Sequence, residues 1–174
     1  GIIDEEGIKD GPWKEFYTDG SKRSEGTYIK GKQVGPWKFY YPDGKTEEEG
    51  LFNKQGKLEG NWRWYYESGN LWREQNYING LEDGLYTEYN ENNKLITTGE
   101  FIEGLEDGEW TYDLGDHKEV GTYSSGMRNG KWKYYYPDGQ LSFEGDYIDD
   151  NPNGKQISYY PSGRPKEAGS YIMG

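Results

Sequence analysis

One glycine returns in this chain at an almost fixed interval, and no other feature restricts the fold as much. Gly11, Gly35, Gly60, Gly84, Gly108, Gly130 and Gly154 are separated by 24, 25, 24, 24, 22 and 24 residues. A period of this length means one supersecondary unit repeated, each copy stacking on the next. Two residues after the glycine stands Trp13, Trp37, Trp62, Trp110 or Trp132, with Tyr86 and Gln156 in the remaining two repeats. Late in every repeat comes an aromatic residue, Tyr28, Phe52, Tyr77, Phe101, Tyr123, Tyr147 or Tyr171. A second glycine precedes that ring by two positions in every repeat but the third, where Gln75 stands.

Within a repeat the pattern is that of a β-hairpin. The run from Trp37 to Tyr41 is aromatic, Pro42-Asp43-Gly44 supplies a turn, and a second strand follows from Thr46 to Phe52. Thr18-Asp19-Gly20, Glu67-Ser68-Gly69, Pro137-Asp138-Gly139 and Pro161-Ser162-Gly163 are equivalent turns. Glycine interrupts every candidate helix before two turns, which excludes helical repeats. A turn typified by Asn79-Gly80-Leu81-Glu82-Asp83-Gly84 is expected between repeats. The spacing predicts a half repeat over 1–10, then repeats at 11–34, 35–59, 60–83, 84–107, 108–129, 130–153 and 154–174. The fold expected is all-β: an elongated, single-layer, twisted sheet of consecutive antiparallel hairpins. The glycine before each late ring leaves bare backbone on which a neighbouring ring can lie.

Composition decides which functions such an array can carry. Only 31% of the residues are apolar, so the 17% that are aromatic must supply most of the buried surface. Cysteine is absent and His117 is the one histidine. Thiolate zinc sites and His-rich metal centres are thereby excluded, and so are most nucleophilic triads. No cofactor, metal or catalytic residue is expected, and the chain is expected not to be an enzyme. Lys14, Lys38, Arg63 and Lys133 fall in a row, read here as cation–π cover over stacked rings. The net charge of -12 argues against nucleic acid and against anionic membranes, and for a basic protein partner. The chain reads as soluble. Because it opens at Gly1 rather than methionine, the expectation stays open between the bacterial cytoplasm and export after loss of an upstream signal.

The pattern Gly-x-Trp-x-x-Tyr-Tyr-x-x-Gly, continued as Glu-Gly-x-Tyr-x-x-Gly, resembles the MORN repeat in its bacterial variant form, which carries an antitoxin label. The resemblance covers essentially residues 1–174 and is plainest over 137–147. Asn93 in place of a turn glycine, Gln156 in place of tryptophan and a fifth repeat two residues short depart from it. It implies a ribbon of hairpins whose groove binds proteins, with no catalytic residues. Trp-x-x-Tyr-Tyr hairpins in a glycine-rich array are also similar to bacterial choline- and wall-binding repeats, which makes glycan or wall-component binding the alternative.

Rings that every repeat needs are structural, so binding residues should break the rule. The fifth position of the repeat holds Glu15, Phe39, Trp64, Glu88, Tyr112, Tyr134 and Ser158, so the fold does not demand a ring there. Trp72 is likewise extra, its counterparts being Arg23, Glu47, Ile96, Ser142 and Lys166. Phe39, Trp64, Trp72, Tyr112 and Tyr134 are therefore the candidate partner-binding residues, expected as exposed anchors.

Overall fold

The structure, a computed structural model, describes residues 1–172. Among these there are strands and turns and no helix. The strands are β1 (Ile2–Ile3), β2 (Lys9–Phe16), β3 (Lys22–Ile29), β4 (Lys32–Tyr40), β5 (Thr46–Phe52), β6 (Leu58–Tyr65), β7 (Leu71–Ile78), β8 (Leu81–Tyr89), β9 (Leu95–Ile102), β10 (Leu105–Asp113), β11 (Lys118–Ser124), β12 (Met127–Tyr135), β13 (Leu141–Ile148), β14 (Asn151–Tyr159) and β15 (Pro165–Tyr171). The chain divides into two compact bodies, one of residues 1–84 with 89–94 and the other of residues 85–88 with the chain from Leu95 onward. In the first body β1 to β7 pair antiparallel in chain order, and in the second β9 to β15 do the same. Within each body every inner strand is thus bonded to the strand before it and the strand after it, the all-β array of hairpins that the repeat dictates. The last two residues of the repeat assigned to 154–174 lie outside the described residues.

The turns follow from their residues. At the hairpin tip Gly44 N donates to Tyr41 O at 2.9 Å and Lys45 N to the Asp43 carboxylate at 3.0 Å. Gly44 has φ +87°, a conformation open to glycine at no steric cost. Asn93 makes the same turn at φ +59°, because asparagine is the side chain that best tolerates the left-handed region. The turn from β5 to β6 takes the five residues 53–57, and between the third and fourth repeats the turn is shorter than the six residues expected. Asn79 and Gly80 alone make it, with φ +51° and +86°, the two-residue form whose twist matches that of paired strands. Leu81 to Gly84 already belong to β8. The repeat glycine lies inside the strand at positive φ, where it forms a bulge: Glu49 faces Arg63 and Leu51 faces Glu59, so the register shifts around Gly60 at φ +65°. A glycine signal for positive φ fits a turn and a bulge equally well, and the bulge is what forms. The fifth repeat accommodates its missing residues by keeping an unbroken register from Gly108 opposite Tyr123 to Asp113 opposite Lys118.

The joint between hairpins is a tryptophan over a glycine. Trp37 covers Gly26, Trp62 covers Gly50, Trp110 covers Gly99 and Trp132 covers Gly121, each so closely that a Cβ on the glycine would fall on the ring. The indole N–H of each Trp donates to the carbonyl one residue beyond that glycine, as Trp62 does to Leu51 O at 2.9 Å. The late ring of the preceding repeat meets the Trp edge to face, Phe52 to Trp62 at 5.0 Å and Tyr123 to Trp132 at 5.1 Å. Trp62 and Trp132 are accordingly 2% and 1% exposed. Gln156 in place of Trp keeps the joint: its amide lies over Gly145, and Nε2 donates to Asp146 O at 2.7 Å. A tyrosine ladder runs beside these joints. Tyr17, Tyr41 and Tyr136 donate their hydroxyls to the carbonyls of Tyr40, Tyr65 and Tyr159, at 2.7, 2.6 and 2.7 Å.

Candidate functional site

Residues directly opposite one another in an antiparallel pair share a face of the sheet. On the face that carries the Trp joints, the fifth-position residues of each repeat lie beside the residues two before the strand glycine. In the first body the order across the strands is Glu15, Ser24, Phe39, Glu48, Trp64, Arg73. In the second it is Thr97, Tyr112, Glu119, Tyr134, Phe143, Ser158. Four of the five candidates fall in these rows, and they fall in pairs, each around a carboxylate. Phe39 and Trp64 flank Glu48, and Tyr112 and Tyr134 flank Glu119. Trp72 is separate: the register passes from Trp64 opposite Arg73 to Tyr65 opposite Leu71, so Trp72 is the extra residue of a bulge, 6.0 Å from Tyr66.

None of the five stands out as an exposed anchor, for all are half-buried. Phe39 stacks on Trp37 at 5.7 Å and Tyr112 on Trp110 at 5.7 Å. Trp64 lies 6.0 Å from Trp62, and the Arg73 guanidinium sits 3.9 Å from its ring centroid. Tyr134 stands 5.0 Å from Phe143. A side chain on a concave or pleated face gives up exposure to its cross-strand neighbours, so excess rings on a shared face pack before they protrude.

The polar groups of the row are under tension. Burial raises the Glu48 carboxyl above its ordinary value, against the opposing effect of the Trp64 Nε1–H, which donates to Glu48 Oε2 at 2.6 Å. Burial likewise pushes the Tyr134 hydroxyl up to about 12, with the Glu119 charge adding to the rise. Burial and the nearby Tyr123 hydroxyl raise Tyr112 as well. His117 places Nε2 at 2.9 Å from Glu119 Oε1 and Nδ1 at 2.6 Å from Asp116 Oδ1. Glu119 and then Asp116 hold its pKa above the ordinary value. Ser24 Oγ, Arg73 Nε and Ser158 Oγ, all in these rows, are buried and have no hydrogen-bond partner among the described residues. The sequence reading missed Glu48 and Glu119. Their signal is positional: both stand two before the strand glycine, where other repeats place Ser24, Arg73, Thr97, Phe143 and, in the last repeat, Glu167.

On the opposite face charges are neutralised in pairs. Lys38 Nζ lies 2.8 Å from Glu49, and Arg63 bonds Glu74. The glutamate before the strand glycine also accepts the first hydroxyl of the tyrosine pair, Tyr40 to Glu25, Tyr65 to Glu49 at 2.8 Å and Tyr159 to Glu144 at 2.8 Å. Lys38 chiefly, with Tyr65, holds the Glu49 carboxyl below its usual range. The expected cation–π cover by Lys14, Lys38, Arg63 and Lys133 is thus not what forms. Three of them face Glu25, Glu49 and Glu74, because a cross-strand carboxylate in register outcompetes a ring on the other side of the pleat. The rings take their cations from Lys9, Lys22, Arg73 and Arg128 instead.

An open antiparallel array of hairpins joined by repeated Trp-over-Gly contacts defines a repeat protein, whose surface is set by what each copy places at its variable positions. Six stretches, residues 9–30, 33–54, 58–79, 82–103, 128–149 and 152–173, match the MORN repeat variant. Together they span well over half of the chain, which therefore belongs to the MORN repeat variant family. The shortened fifth repeat is the one outside the match. No match to the chain is found among curated proteins. MORN repeats are generally protein- and membrane-binding modules.

Proposed function

We propose that this chain is a non-enzymatic module for protein–protein interaction that binds a basic partner, in the manner of an antitoxin or immunity protein that covers the working surface of its target. The observation that supports the reading is the composition of the variable row. The repeat rule relaxes there, and there the chain gathers extra rings, half-buried carboxylates and polar atoms with no partner of their own. Rings give a partner apolar area and fixed geometry, and carboxylates select its sign. The net charge of -12 adds long-range attraction for a cation and repulsion for nucleic acid and anionic lipid. A glycan would need an open ring face, and the Arg73 guanidinium over Trp64 makes the protein reading the better one.

Affinity capture from the source organism is the test, followed by binding kinetics on the captured protein. The partner should be net basic, and its association should slow as salt rises from ~10 to ~150 mM, where the Debye length falls from ~30 to ~8 Å. Replacing Trp64 and Tyr134 together with alanine should leave association unchanged and raise the dissociation rate about tenfold or more. An acidic partner, salt-independent association or an unchanged dissociation rate would overturn the proposal.

A further inference from the structure

We propose that Glu48, held between Phe39 and Trp64, is a seat for one cationic side chain, a lysine ammonium or an arginine guanidinium, presented by a partner protein. The inference deepens the proposed function and rests on it for the partner being a basic protein.

Glu48 faces Phe39 on one neighbouring strand and Trp64 on the other, so a ring stands on each side of the carboxylate. The Trp64 Nε1–H donates to Oε2 at 2.6 Å and fixes the carboxylate's orientation. No cation lies within ion-pair distance of Glu48 among the described residues, whereas Glu49, one residue on and on the opposite face, is held by Lys38 at 2.8 Å. Arg73, on the same face, sits over the Trp64 ring at 3.9 Å and acts on Glu48 through its charge alone, without an ion pair. A half-buried carboxylate with no cation in ion-pair contact costs free energy that a seated cation would offset, and the fold does not ask for a carboxylate here. Ser24, Arg73, Thr97 and Phe143 fill the same position in four other repeats, and the glutamate there in the last repeat, Glu167, is exposed opposite Ser158 with no ring across from it.

A second observation, from the other body, shows what fits such a place. Glu119 occupies the equivalent position, between Tyr112 and Tyr134. There the chain supplies its own group that carries positive charge when protonated: His117 Nε2 sits 2.9 Å from Glu119 Oε1, with the imidazole centroid 6.2 Å from the Tyr134 ring. The carboxylate with flanking rings is therefore built twice, once with an internal imidazole against it and once without. A planar guanidinium or an ammonium on Glu48 would gain the carboxylate together with the Phe39 ring across from it, since Arg73 already covers a face of Trp64.

The probe is N-acetylarginine methylamide, titrated into the intact chain and read by the indole Nε1–H signals of the tryptophans in a nitrogen–proton correlation spectrum. Its neutral citrulline analogue is the control. The Trp64 indole signal should shift and saturate with the arginine probe and not with the citrulline analogue. Glu48→Gln, close to isosteric, should weaken binding at least tenfold while the other indole signals stay in place. Glu49→Gln removes the same unit of charge from the opposite face and should change affinity less than twofold. An unmoved or unsaturable Trp64 signal, or equal weakening by the two substitutions, would overturn the seat. A captured basic protein that binds wild type and Glu48→Gln alike would also overturn it while leaving the module reading intact. A chain that takes the arginine probe but no basic protein would uphold the seat and overturn the module.

Discussion

His117 shows how much one side chain's chemistry depends on what its repeat places across the strand. Both ring nitrogens face carboxylates, and an imidazole donates from both only when it is protonated. The hydrogen bond to Glu119, then that to Asp116, accordingly raises its pKa from the ordinary 6.5. A group raised by folding stabilises fully below its unfolded value, and that contribution is lost as the pH climbs through the folded value. The groups around it are Asp116, Glu119 and the Tyr134 ring, and burial pushes the Tyr134 hydroxyl up to about 12, far above that window. A proton NMR titration should therefore place the His117 midpoint above 6.5 in the folded chain, and Glu119→Gln should bring it down. The melting temperature should fall from pH 6 to pH 8 more steeply in wild type than in His117→Gln. The effect is modest because the imidazole is partly exposed to solvent.

At the scale of the hairpin, stability sits in the joint. A methyl group on Gly50 would land on the indole of Trp62 and displace the most buried ring of its repeat. Gly50→Ala should destabilise the first body by on the order of 1–3 kcal/mol or more, the cost of forcing extra volume into a packed site. Gly169, which holds the same place in β15, has no atom within 4 Å of where a Cβ would stand. Gly169→Ala should shift stability by no more than about 0.5 kcal/mol, as an open surface site does. Chemical denaturation of both variants checks the contrast, and equal losses would show that the joints are not the source of stability. These elements were largely legible beforehand. Pro42-Asp43-Gly44 announces its turn by residue type alone, and the glycine two before Phe52 announces a close approach. What was not legible is what depends on register. The bulge at Gly60 and the pairing of Lys38 with Glu49 rather than with a ring are set by which residue lies across the strand. Glu48 escaped notice because one carboxylate among 32 acidic residues looks like solvated charge until its neighbours Phe39 and Trp64 are known.

For the molecule as a whole, the repeat makes stability a sum of neighbour terms rather than a property of one core. Removing residues 35–59 joins Val34 to Gly60 and brings the Gly60-Asn61-Trp62 element to the place of Gly35-Pro36-Trp37. Trp62 would then lie over Gly26 as Trp37 does, Arg63 would face Glu25 as Lys38 does, and Tyr17 would donate to Tyr65 O as it does to Tyr40 O. The shortened chain should fold, with an unchanged far-ultraviolet circular dichroism signal per residue and a cooperative melt. A deletion of half that length should not, because an odd strand count turns the sheet direction over and leaves each Trp without its glycine. Circular dichroism and size-exclusion chromatography of the two deletions distinguish the cases. The Trp-over-Gly joint also has a consequence for inheritance. A contact that recurs with the same parts does not record which copy stands on either side, so unequal crossing-over between near-identical stretches of the gene yields chains that still fold. The number of repeats then becomes a dimension along which the reach of the binding surface can be lengthened or trimmed in single steps, with no core to redesign.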